Sequence, residues 1–181
     1  RVRKRSQVPL ALMTYVNPIF TYGTGRFMKN CQEVGVDAVI VPDTPYEERD
    51  ELAPFCSEHG VRLISMIAPT SKNRIQMIAR EAQGFIYCVS SMGVTGTRQE
   101  IGSEVEEMIK EVKKVNDIPC AIGFGVSTPE QAKGMAKFAD GVIVGSAIVK
   151  IIAEHGMDCL PFVLDFARLM NEAIKRDSNA N

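Results

Sequence analysis

Six short apolar runs, each followed by a helical pattern, limit what this chain can fold into more than any other feature. They are Val8–Thr14, Asp37–Val41, Val61–Ile67, Phe85–Val89, Ile118–Ile122 and Asp140–Val144. None alternates apolar with polar residues. Each therefore reads as a strand covered on both faces, as in a parallel sheet flanked by helices. The helical pattern is clearest over 102–116, where Val105, Met108, Ile109, Val112 and Val115 fall at helix intervals. Asn17-Pro18 reads as a break, with a helix over Gly25–Val34. Further helices are expected over Tyr46–His59, from Ser71 as N-cap to Ala82, and from a cap at Ser127 or Thr128. A short helix from Ser146 to Glu154 and a last one over Cys159–Lys175 complete the pattern.

Strict β/α alternation leaves two architectures, an open doubly wound sheet and a (β/α)8 barrel. An open sheet usually carries one glycine-rich phosphate loop after its first strand. Here Asn17-Pro18 follows the first strand, and the glycine loops follow the last three: Gly93-Val94-Thr95-Gly96, Gly123-Phe124-Gly125 and Gly145-Ser146. Barrels bind phosphate with the loops after strands seven and eight and a short extra helix. The expected fold is thus a TIM (β/α)8 barrel, read as a single partial domain over residues 1–181. On this reading the six units present are strands three to eight. Arg1–Gln7 reads as the tail of a helix running into the first of them.

Composition excludes several classes of function. The net charge is −1 and the only basic cluster, Arg1–Arg5, is short and terminal, so no nucleic acid is expected as a partner. No apolar run approaches the ~18 residues of a membrane span, and no signal peptide is visible. The five cysteines, Cys31, Cys56, Cys88, Cys120 and Cys159, form no C-x-x-C pair and are odd in number. Reduced thiols in a cytoplasmic protein account for them. His59 and His155 each precede a glycine at a helix end, which suits capping better than metal ligation.

Gly145-Ser146 ends a buried strand and opens a helix. By itself it is either a plain N-cap or an anion site. Three glycine loops at neighbouring strand ends favour the second reading, because backbone N–H groups from all three converge on one phosphate.

Longer matches then become specific: Leu12–Phe20 (LMTYVNPIF), Val36–Glu48 (VDAVIVPDTPYEE), Ile67–Ser71 (IAPTS), Tyr87–Gly96 (YCVSSMGVTG), Gly123–Gln131 (GFGVSTPEQ) and Asp140–Ile151 (DGVIVGSAIVKI). Together they resemble the tryptophan synthase alpha chain family. The resemblance implies a lyase of tryptophan biosynthesis, cleaving indole-3-glycerol phosphate to indole and glyceraldehyde 3-phosphate. It implies no cofactor in this chain and an alpha2beta2 heterotetramer, whose beta chain carries pyridoxal phosphate and receives the indole. It also implies site residues. Gly96, Gly125, Gly145 and Ser146 match phosphate-binding positions. Tyr87 and Thr95 match residues that support catalysis, and Met13, Ile40, Ile67 and Phe124 match the indole pocket. The loops at Asn17-Pro18, Asp43-Thr44-Pro45 and Ser90–Arg98 are the expected contacts with the beta chain.

The family's two catalytic carboxylates match nothing here, because the resemblance places them ahead of Arg1. Asp43 sits at a strand end but reads as structural. The chain as given is therefore expected to be inactive alone, with open sheet edges that favour self-association. Two other readings remain: a phosphate-binding barrel fragment without chemistry, and another sugar-phosphate barrel enzyme, which would bring histidine and aspartate metal ligands to strand ends.

Overall fold

The computed structural model describes residues 1–71, 73–90, 98–123 and 125–175, without the side chains of 98–102. Seven strand segments run in parallel and pair in sequence order: β1 (Ala11–Met13), β2 (Ala38–Ile40) and β3 (Arg62–Leu63) in one sheet, then β4 (Ser65–Ile67), β5 (Ile86–Val89), β6 (Cys120–Gly123) and β7 (Gly141–Ile143) in a second. β3 and β4 are two halves of one extended stretch. Its first half pairs with β2, with Ile64 donating to the Val39 carbonyl, and its second half pairs with β5. The sheet therefore changes partner at Ile64, and the six expected strands are all present.

Eight α-helices accompany the strands among the described residues: α1 (Val16–Tyr22), α2 (Thr24–Val34), α3 (Ala53–Glu58), α4 (Ile75–Glu81), α5 (Arg98–Lys113), α6 (Pro129–Met135), α7 (Ser146–His155) and α8 (Leu160–Ile174). Three boundaries differ from those read in the sequence. The first strand ends before Asn17-Pro18 as read, but the pair sits in the first turn of α1, a helix the sequence reading lacked, where an amide has no intrahelical partner and proline loses nothing. The helix expected over Tyr46–His59 is a 3-10 turn, Tyr46–Glu51, followed by α3, which restarts at Pro54 in its first turn. Ser71 caps no α-helix. It closes a 3-10 turn, Pro69–Ser71, where its Oγ accepts the Ala68 N–H at 3.2 Å.

Side chains of alternate strand residues separate into layers. Ala38, Ile40, Ile64 and Tyr87, with Met66, Val89 and Ile143 against them, form the inner cluster. On the outer face, Val39, Cys56, Val61 and Leu52 pack β2 and β3 against α2 and α3. A separate outer cluster of Ile67, Ile78, Ile86, Cys88, Met108, Val112 and Ile122 packs β4–β6 against α4 and α5. A smaller one, Val126, Ala132 and Met170, joins α6 to α8.

Two acidic residues fasten the end of the sheet where the strands begin. Asp37 Oδ2 accepts the Leu10 N–H at 2.7 Å and the Arg3 guanidinium at 2.6 Å. Asp140 Oδ2 accepts the Cys120 N–H at 2.9 Å and pairs with Lys113. Both lie opposite the glycine loops. No helix among the described residues is long and apolar enough to cross a membrane.

Candidate functional site

Parallel pairing places the loops after β6 and β7 at one rim. Gly123 is in register with Ile143, so Gly125 and Gly145 each lie two residues beyond the same rung. Gly125 has φ +76°, a left-handed conformation that side chains other than glycine enter only with strain. Gly145 has φ −120°, and a Cβ built there meets no described atom within 4 Å. Neither backbone nor neighbours demand a glycine at 145, so its value lies in the space it leaves at the rim.

Gly145 is the N-cap of α7, and no side chain caps that helix start. Ser146, Ala147 and Ile148 come before the first intrahelical amide bond, in which Val149 donates to the Gly145 carbonyl at 3.1 Å. Three N–H groups and the positive end of a ten-residue helix thus face outward at the rim. Such an arrangement suits an anion in both geometry and charge. Gly96, Thr95 and Phe124 lie outside the described residues, so their expected contributions to the cradle and the pocket are not part of this geometry.

The interior behind the rim is apolar around one hydroxyl. Tyr87 is 6% exposed, and its burial raises the pKa of its phenol, so the hydroxyl stays protonated near neutral pH. Ile40 lies in the same inner cluster, and Met13, in register with Ile40 on β1, shares its face but is half exposed. Ile67 requires correction. It is 1% exposed but belongs to the outer cluster with Ile75 and Ile78, while its neighbour Met66 lies against the inner one. An apolar run buried on both faces carries no sign of which residues point inward, so the sequence could not show this.

The structure adds Gly123, which the sequence grouped with the phosphate loop. A Cβ at this position would stand 2.1 Å from the Tyr87 hydroxyl oxygen and 2.3 Å from its Cζ. Gly123 is the floor on which the Tyr87 ring rests. The signal was available in principle, since a glycine inside a strand marks close approach of another group.

Two of the expected partner loops are joined; of the third, Ser90–Arg98, residues 91–97 lie outside those the structure describes. Asp43 accepts the Val16 N–H at 2.9 Å through Oδ1 and so caps α1, beside Asn17 and Pro18. Asn17, Pro18, Asp43 and Pro45 are exposed, and Thr44 is partly so. Asp43 is thus structural, as read from the sequence. His59 is the C-cap of α3 and its ring contacts Gln32, while His155 ends α7 and stacks on Phe162 at 3.6 Å. No group of three metal-binding side chains occurs among the described residues.

The model of one family, the tryptophan synthase alpha chain, matches residues 1–175. The chain belongs to that family. It is 44% identical over 172 residues to the tryptophan synthase alpha chain of Lacticaseibacillus casei, covering 95% of this chain and 65% of the relative. The Thermoanaerobacter sp. alpha chain is 47% identical over 176 residues, covering 96% of this chain and 67% of that one. The structure of the Campylobacter jejuni alpha subunit superposes with a TM-score of 0.83 at 34% identity, covering 90% of this chain and 66% of the other. A tryptophan synthase a2b2 complex from Pyrococcus furiosus contains a chain that superposes equally well, at 0.83 and 34% identity over 94% and 69% of the two chains. The parallel strands are accordingly an arc of a TIM barrel. The chain spans about two thirds of the length of the relatives it matches.

Proposed function

We propose that this alpha chain serves tryptophan biosynthesis in the cytoplasm, as part of a lyase that cleaves indole-3-glycerol phosphate to indole and glyceraldehyde 3-phosphate. The uncapped start of α7, at the same rim as Gly125, carries the reading. It holds the substrate phosphate through the Ser146, Ala147 and Ile148 amides, in the space that Gly145 leaves free. With the phosphate fixed there, the indole ring lies inward against Ile40 and Met13, near the Tyr87 hydroxyl. Burial keeps that hydroxyl protonated, so it donates a hydrogen bond and does not act as a base.

Breaking the carbon–carbon bond needs one group to deliver a proton to the indole ring and another to take one from the glycerol hydroxyl. The inner cluster supplies walls and one phenol. The residues described here bind and position the substrate. The exposed surface at Asn17, Pro18, Asp43, Thr44 and Pro45 docks the beta chain of an alpha2beta2 complex. Pyridoxal phosphate belongs to that partner, which receives the indole.

Binding of glycerol 3-phosphate, followed by thermal melting, tests the proposal. The ligand should raise Tm in the native chain and leave Tm unchanged in Gly145→Val. Equal protection of both proteins would refute the phosphate assignment.

A further inference from the structure

Two serines are buried among the described residues, Ser71 and Ser90. The Ser71 hydroxyl closes its own turn. Ser90 is 1% exposed and comes directly after β5. Its main-chain N–H donates to the Gly123 carbonyl at 3.1 Å, and its hydroxyl donates to the same oxygen at 3.3 Å. The first bond continues the β5–β6 ladder, in which Val89 is in register with Gly123. The second is additional to the ladder. A carbonyl oxygen has two lone pairs, enough for both donors.

Gly123 is a place where a second hold matters. The Tyr87 side chain starts two rungs lower, opposite Ala121, and leans along the sheet until its hydroxyl lies over Gly123. The ring leaves no room there for a Cβ, so no side chain can restrain this residue. Glycine has the freest backbone of any residue, and a single ladder bond lets its peptide tilt about the bond axis. A second donor, arriving from the serine side chain, removes that freedom. The order of contacts is thus Ser90 hydroxyl, Gly123 peptide, Tyr87 ring.

We infer that Ser90 is a positioning residue for the indole end of the substrate: its hydroxyl fixes the Gly123 peptide and, through it, the Tyr87 hydroxyl. The inference rests on the site proposed above, in which Tyr87 donates a hydrogen bond beside the indole ring. It divides that site in two. The phosphate end is the start of α7, which follows β7 and makes no use of Ser90. The indole end depends on Ser90 through one peptide.

Titration calorimetry with two ligands tests the division. Glycerol 3-phosphate reaches only the rim at α7, whereas 3-indolylpropyl phosphate adds the ring. Ser90→Ala should weaken the indole ligand about fivefold, the equivalent of one hydrogen bond, and leave glycerol 3-phosphate unchanged. Ser90→Thr, which keeps the hydroxyl, should restore most of the loss. In a Tyr87→Phe background Ser90→Ala should have no further effect, because the group it positions is gone. No loss, an equal loss for both ligands, or additive losses in the double variant would each overturn the inference. Thr128→Ala removes another hydroxyl bonded to the backbone, in the α6 cap, and should change neither ligand. If it weakens the indole ligand as Ser90→Ala does, the effect is general loosening and the inference falls. If the native chain binds neither ligand, the proposed function fails, and the Cζ resonance of 13C-labelled Tyr87 then decides for Ser90. That resonance, assigned by Tyr87→Phe, should shift in Ser90→Ala and stay in place in Thr128→Ala; an unmoved resonance in Ser90→Ala overturns the inference. If Ser90→Thr does not fold, the double variant decides without it.

Discussion

α6 and α7 begin at the same rim, on adjacent parallel strands, yet their first turns are built in opposite ways. At α6, Thr128 Oγ1 accepts the Gln131 N–H at 3.3 Å, and the Gln131 side chain accepts the Thr128 N–H at 3.2 Å. Gln131 Oε1 also accepts the Ser127 N–H at 2.9 Å. This is a complete capping box, and it closes the helix end with the chain's own side chains. At α7 a glycine occupies the N-cap and no side chain turns back. Two neighbouring helix ends thus carry similar dipoles, but only one leaves its amides for a ligand. A glycine-rich rim is therefore not uniformly an anion site; what matters is which amides remain unpaired.

The predictions that break or sharpen this contrast differ in size. Gly123→Ala attacks the strand leading to α6 and should act most strongly. The new methyl overlaps the buried Tyr87 ring, and overpacking of this kind costs about 1–3 kcal/mol. Denaturant melts should show the loss, and Tyr87→Ala in the same chain should recover part of it. Thr128→Ala opens the α6 box and should cost about 1 kcal/mol. It should leave glycerol 3-phosphate protection untouched, because that site belongs to α7. Gly145→Asp does the reverse and gives α7 a cap of its own. It should change stability by only a few tenths of a kcal/mol, while its carboxylate displaces the phosphate and erases ligand protection. If Thr128→Ala weakened the phosphate site and Gly145→Asp did not, the contrast would be wrong.

The smallest effect lies at the other end of the sheet. The Leu10 N–H and then the Arg3 guanidinium hold the Asp37 carboxyl below its usual range, against the opposing effect of desolvation. A carboxylate with a lowered native pKa stabilises the fold above its unfolded value, near pH 4, and that stability is lost as pH falls through the native value. Asp37→Asn should therefore narrow the stability difference between pH 6 and pH 3, as measured by urea melts at each pH.

The sequence revealed the layout of strands because burial on both faces leaves continuous apolar runs that composition alone makes visible. It also revealed the start of α6, where Pro129 and Glu130 suit a first turn, but left the cap open between Ser127 and Thr128, and the structure selects Thr128. The parity of β4 was hidden: Ser65, Met66 and Ile67 look equally buriable, and only the pairing on each side of Ile64 decides which face each takes. Pro18 and Pro54 were ambiguous for a related reason, because a proline marks the first turn of a helix as readily as its end. Gly123 was read as part of a ligand loop when its work is to admit the Tyr87 ring.

The change of partner at Ile64 also bears on how the molecule comes apart. β1–β3 share one outer cluster and β4–β7 lean on others, while the inner cluster of Ala38, Ile40, Ile64 and Tyr87 joins them. Such a division makes two cooperative units of opening. Native-state hydrogen exchange should therefore sort the strand amides into two groups that part at residue 64, each with its own protection energy, so that one half of the arc can open transiently while the other keeps its ladder intact.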